Sequence, residues 1–269
     1  MTDYAVSLNS LEKPNVNIER LAYHCTMAIS CFSVLYLITV YLTGHSWLSF
    51  ISVDVASSEL RLSLIQCILG AAALHVPILL TKLTRIKLPD TLCACFYLFI
   101  LCATVLGEMF SLYYKIPIWD SILHFGSGVM IGMFASLLLV EFLKNKKCTK
   151  LVSPMFIAIA AVCFALCIGV VWEMYEFAGD SLLGLNMQKC LLEDGSELIG
   201  KAALLDTMKD LIVDTLGALC AAASAFLSLK HKKGWLYSYL ASAVVRKTQK
   251  QKANERGLEL DGQMLKYIA

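Results

Sequence analysis

The stretch Val152–Ala178, VSPMFIAIAAVCFALCIGVVWEMYEFA, decides the fold. From Val152 to Trp172 it carries no charged residue, and it is longer than the roughly 20 apolar residues a helix needs to cross a hydrocarbon layer. Such a segment belongs in lipid, where the helix must satisfy every backbone N–H and C=O internally. Working outward, five more stretches have the same character: Leu21–Thr43, Leu60–Leu80, Thr91–Tyr114, Ile118–Leu143 and Asp206–Leu229. The 269 residues are 58% hydrophobic and 16% charged, against about 45–50% and 25% for a soluble domain. Those proportions exclude a soluble enzyme, a disordered chain, a collagen-like chain and a disulfide-stapled scaffold. The expected fold class is all-α, an integral membrane bundle of six transmembrane helices.

Polar residues precede the first span, its apolar run is long and no small-residue cleavage site follows it, so it reads as a retained span and not a cleavable signal. Most of the 11 Cys lie inside the apolar runs, with no CxxC; neither disulfides nor a thiolate metal site is indicated. Lys and Arg set the orientation. Lys13 and Arg20, then Lys82, Arg85 and Lys87, then Lys144, Lys146, Lys147 and Lys150, and finally the tail from Lys230 share one side. The other side holds Arg61, Lys115, Lys189, Lys201 and Lys209. Both termini are therefore expected in the cytoplasm, with the protein multi-pass in the cell (cytoplasmic or inner) membrane. The domain reading is a cytoplasmic arm over 1–20, a transmembrane domain over 21–229 and a basic cytoplasmic tail over 230–269. Lys230, Lys232 and Lys233 beside Trp235, Tyr237 and Tyr239 suggest an interfacial helix on the anionic leaflet, with the bilayer as partner and no nucleic acid.

Gly128, Gly132 and Ser136 in the fourth span, and Gly217, Ala221 and Ala225 in the sixth, form small-residue stripes at four-residue spacing. Such stripes let backbones approach closely in lipid, so these two helices are expected to pack together.

The acids gather on one side of this topology. Glu108 lies near the outer end of the third span, Asp120 and His124 open the fourth, Glu173 and Glu176 close the fifth, and Asp206, Asp210 and Asp214 open the sixth. The i, i+4 pair Asp120/His124, the i, i+3 pair Glu173/Glu176 and the i, i+4, i+8 stripe of Asp residues each occupy one helix face. A charged Asp near the bilayer centre costs roughly 2.5–3.5 kcal/mol, so these faces should turn inward and converge. Individually, Asp120 and Asp206 read equally as N-caps, the Trp172–Phe177 stretch as an interfacial belt and His124 as a hydrogen-bonding core histidine. Their co-location favours a site. Besides His124, Lys115 and Lys209 are the only nearby bases by sequence. Carboxylates this close must share protons or bind a cation. A divalent metal ion is expected on Asp120, His124, Glu173, Glu176, Asp206, Asp210 and Asp214; the oxygen-rich set suits Mg, Mn or Ca and the imidazole admits Zn or Fe.

Asp120-Ser-Ile-Leu-His124-Phe125, then Glu173-Met-Tyr-Glu176-Phe177, then Asp206-Thr-Met-Lys-Asp210 running into Asp214-Thr-Leu-Gly217-Ala218 resembles the YjdF-like family of bacterial and archaeal membrane proteins, a family of unknown function. A looser similarity is to VanZ-like membrane proteins, linked to glycopeptide resistance. Glu176 stands where that family has Gln and Asp214 where it has Asn, and no matching Arg precedes the last helix. The resemblance implies that the acids act as a unit and supplies no reaction.

Three functions follow as expectations. The first is a metal-dependent hydrolase or transferase at the outer leaflet, acting on a lipid or isoprenoid-linked envelope precursor, with Glu173 or Asp210 as general base. The second is binding or transport of a cation or proton, which the sparsely polar inner half of spans three to six disfavours. The third is a non-catalytic envelope resistance factor. The connection over 179–205 carries Glu193, Asp194 and Glu197 among apolar residues and is expected to form a short amphipathic helix or lid, or a plain loop.

Overall fold

A computed structural model of the chain describes residues 18–48, 58–84, 86–145, 152–191 and 196–239. Most of the N-terminal arm with Lys13, then Arg85, Lys146, Lys147, Cys148, Lys150, Glu193, Asp194 and the tail beyond Tyr239 lie outside the described residues. The helices are α1 (Ile18–Thr43), α2 (Ser58–Ala73), α3 (Val76–Thr84), α4 (Asp90–Ile100), a π-helix (Leu101–Met109), α5 (Leu112–Lys115), α6 (Trp119–Asn145), α7 (Pro154–Leu183) and α8 (Lys201–Lys230). Among the described residues there is no strand, only an isolated bridge between Leu191 and Glu197. Six helical segments are long and apolar enough to cross a membrane, with α2 and α3 forming one and α4 and the π-helix another. The protein is an all-α, multi-pass membrane protein.

Several boundaries differ from the sequence reading: the second span runs on to Thr84 and the fifth to Leu183, and two further differences bear on the site. The third span ends at Met109, not Tyr114. The helix widens to i→i+5 bonding, with Phe110 N–H donating to Val105 O at 3.0 Å, and then stops at Ser111, which has φ 57°. The apolar run continues through Tyr114, so hydropathy does not register this break. The last helix begins at Lys201, before the expected Asp206, which removes the N-cap reading of Asp206. The second span is interrupted at Leu74–His75, because Pro77 supplies no N–H for the preceding turn.

The chain divides into two compact units. The first comprises residues 1–126 and 173–210. In it α1 packs on α2 and α4, and α2 packs on the π-helix. Tyr36, Leu37, Val40, Leu60, Cys67, Val105 and Met109 form the core. Gly70 faces Thr104 so closely that an added Cβ would stand 2.7 Å from the threonine methyl.

The second unit comprises residues 127–172 and 211–269. Here the two small-residue stripes meet as expected: Gly128 lies against the Asp214 carbonyl and Gly132 against Ala221. Ser136 Oγ returns its hydrogen bond to Gly132 O at 2.8 Å, so the hydroxyl is satisfied within α6. Beyond α8 the chain folds back at Gly234, φ 88°. Leu236 is fully buried, Trp235 donates to Ser224 Oγ at 2.9 Å and Tyr237 N–H donates to Ser228 Oγ at 3.1 Å. The aromatic start of the tail is thus a helical turn docked on the sixth span.

Candidate metal centre

Three helices of the first unit carry the acids, and two of them, α6 and α8, bring theirs together. The opening turns of α6 carry Asp120 and His124 one turn apart, the last turns of α7 carry Glu173 and Glu176, and α8 carries Asp210 four residues after Asp206. Asp120, His124, Glu173, Glu176 and Asp210 are all buried, Asp210 to 1% exposure.

Asp120, His124 and Asp210 each offer one ligand atom within 4.8 Å of the others. His124 Nε2 stands 3.6 Å from Asp120 Oδ1 and 3.8 Å from Asp210 Oδ2. Two ligands each about 2.1 Å from one ion stand about 3–4 Å apart, so one imidazole and two carboxylates at these separations suit a divalent cation. Asp210 Oδ1 is buried and has no hydrogen-bond partner among the described residues. A buried carboxylate oxygen without a donor is costly, and a cation would satisfy it.

The other expected ligands lie outside this three-residue group. Asp206 is joined to it through Lys189, whose Nζ stands 3.5 Å from Asp206 Oδ1 and also pairs with Asp120 Oδ2. Glu173 and Glu176 are buried on α7, one turn apart. Asp214 falls in the second unit, where its Oδ1 accepts a hydrogen bond from Ser127 Oγ at 2.7 Å. Lys115, a sequence candidate for neutralising the acids, donates to Phe110 O at 2.9 Å and so closes the end of the π-helix.

Two residues that sequence reasoning missed complete the electrostatics. Tyr113 is folded against the π-helix because Gly107 has no Cβ, which would otherwise stand 2.3 Å from the ring. Its phenol is pushed well above the ordinary 10.0, by burial first and then by Glu108, Asp120, Glu176 and Asp210. Lys189 lies 5.7 Å from the centre of the Tyr113 ring, within cation–π range. Burial pulls this ammonium down from 10.5, but Asp120 and Asp206 more than offset it and the net shift is upward.

The loop between α7 and α8 delivers that lysine. Gly184, φ 63°, ends α7. Asp180 then accepts Met187 N–H at 2.7 Å and Gln188 N–H at 3.0 Å. Gln188 Nε2 donates to Thr207 Oγ1 on α8 at 2.9 Å, and the Met187 side chain packs with Leu62, Leu185 and Tyr175. Among its described residues this loop forms no amphipathic helix; it is a hydrogen-bonded turn that places Lys189 on the acids.

The model of the family described as "Predicted membrane protein (DUF2238)" matches residues 24–231. The chain belongs to that family. The resemblance to YjdF-like proteins, carried by the acidic motifs, agrees with this assignment. An uncharacterized protein of Thermotoga maritima is 30% identical over 142 residues, covering 52% of this chain and 65% of that relative. The chain therefore matches less than two thirds of that relative's length. No solved structure matches.

Proposed function

We propose that Asp120, His124 and Asp210 hold one divalent cation at the extracytoplasmic end of the bundle. The observation that carries this reading is the approach of three ligand atoms to within 4.8 Å, with the Asp210 carboxylate buried to 1% exposure and its Oδ1 lacking a hydrogen-bond donor among the described residues. The positive-inside distribution of Lys and Arg supports cytoplasmic termini and, with them, an extracytoplasmic position for this end. The chemistry that a bound divalent ion brings is Lewis acidity toward a phosphoryl or acyl oxygen, or a bound water acidified to a pKa of about 7. A lipid or isoprenoid-linked head group at the outer leaflet suits such a site. With Asp210 assigned as a ligand, Glu173 becomes the candidate general base of an enzymatic reaction.

Lys189 favours a second reading, in which the acids bind a proton or cation reversibly and perform no covalent chemistry. An ammonium already shared by two of the acids lowers the negative excess that a metal would otherwise neutralise. Elemental analysis of the purified, detergent-solubilised chain separates the metal reading from the proton form of the second. The metal reading expects about one divalent ion per chain, lost in Asp210→Asn. Metal-free wild-type protein after incubation with Mn²⁺ and with Zn²⁺ would leave the second reading.

A further inference from the structure

Lys189 lies in a loop, yet its ammonium is firmly placed. The Asp180 carboxylate fixes the two preceding backbone N–H groups, Gln188 is tied to α8 through Thr207, and Lys189 itself has φ 50°. That left-handed conformation is uncommon for a residue with a side chain and persists where the surroundings over-determine it. The result is a shared carboxylate. Asp120 Oδ1 faces His124 Nε2 at 3.6 Å, while Oδ2 of the same residue takes Lys189, which also reaches Asp206. A carboxylate presenting one oxygen to each of two adjacent cations is the arrangement that paired-metal sites use, with ions about 3.5–4 Å apart.

We propose that Lys189 is a built-in second cation: its ammonium fills, between Asp120 and Asp206, the position a second divalent ion would take, so that the site binds one ion and not two. The inference rests on the metal reading above. Position supports it: the ammonium already stands between Asp120 Oδ2 and Asp206 Oδ1, so a second divalent ion there would meet a like charge at contact distance. Without the ammonium, Asp206 and the outer oxygen of Asp120 lack their cation, and a second ion becomes the way to neutralise them. The lysine thereby determines stoichiometry at the site.

The test is bound metal per chain, by elemental analysis of the full chain in detergent after equilibrium dialysis against Mn²⁺ and, separately, Zn²⁺. Wild type and Lys189→Arg are expected to hold one ion. Lys189→Met is expected to hold two, and Lys189→Met/Asp206→Asn is expected to return to one because the second ion loses its other carboxylate. The double variant also removes one of the two acids that Lys189→Met leaves without the ammonium, so it is the more stable of the two and keeps the test open where Lys189→Met alone does not fold. For the double variant, two ions would overturn the assignment. So would a second ion in wild type, or a single ion in folded Lys189→Met. Absence of metal from every variant would overturn the metal reading itself, and this inference with it.

Discussion

Gly128 lies where α6 crosses α8, and replacing it by alanine should weaken the second unit severely. A Cβ there would stand 2.3 Å from the Asp214 carbonyl oxygen, 3.0 Å from its carbon and 3.1 Å from Ala218 N. All three are backbone atoms, so no rotamer change relieves the overlap. Ordinary contact begins at 3.4 Å, and α8 must therefore back away by more than 1 Å. That movement also loosens Gly132 against Ala221, one turn along the same stripe. Overpacking costs about 1–3 kcal/mol, and a rigid backbone on both sides puts Gly128→Ala at the upper end. About 3 kcal/mol is about a 100-fold fall in the folded-to-unfolded ratio. Gly126→Ala is the internal control. It lies in the same helix with nothing within 4 Å of its added Cβ, and exchanging Gly for Ala in a helix gains up to about 1 kcal/mol. Reversible unfolding of the full chain in mixed micelles of rising SDS content, followed by tryptophan fluorescence, measures both. Gly128→Ala unfolding at the same SDS fraction as wild type would refute the close crossing.

Three other outcomes are expected. Asp180→Ala leaves the N–H groups of Met187 and Gln188 without their acceptor; it should cost about 1–3 kcal/mol locally and make the α7–α8 loop an early site of limited proteolysis, and unchanged cleavage would contradict the role of Asp180. Because the Lys189 ammonium is held above 10.5 in the folded state, its contribution to stability is complete below that pH and is lost as pH rises through the folded value. The stability difference between wild type and Lys189→Met should thus stay flat from about pH 7 to 10; a difference that vanishes near pH 8 would sink the ion-pair assignment. Single-cysteine labelling with an impermeant thiol reagent, on a background without the native Cys, should leave Lys146→Cys unlabelled from outside, and strong labelling would invert the proposed topology.

The spans were legible because lipid imposes one rule, continuous apolar helix, that composition records directly. Their ends were less so. Phe110 and Tyr114 read as membrane residues, but the chain turns at Ser111, and that turn depends on Gly107 and Tyr113 meeting in space. Within the site, Asp120 and His124 could be read as partners because helical spacing alone puts them on one face. Asp210 joins them through packing, which the acid stripe hinted at without fixing which of its three members would arrive. Lys189 was counted only as one outside charge. Its position depends on a loop held by Asp180 and Thr207, and no periodic signal reports a hydrogen-bonded turn. Asp214 continues the stripe one turn further, and the hydrogen bond its Oδ1 accepts from Ser127 in the second unit is one that spacing could not foretell.

The central claim is that His124 and two aspartates share one divalent ion, and electron-spin-echo measurement on Mn²⁺ bound to the full chain tests it most directly. The nitrogen of a coordinated imidazole modulates the manganese echo. The account predicts one such ¹⁴N coupling in wild type, its loss in His124→Gln and its survival in Asp214→Asn. Bound manganese without nitrogen coupling, or a coupling that persists when His124 is replaced, would contradict it.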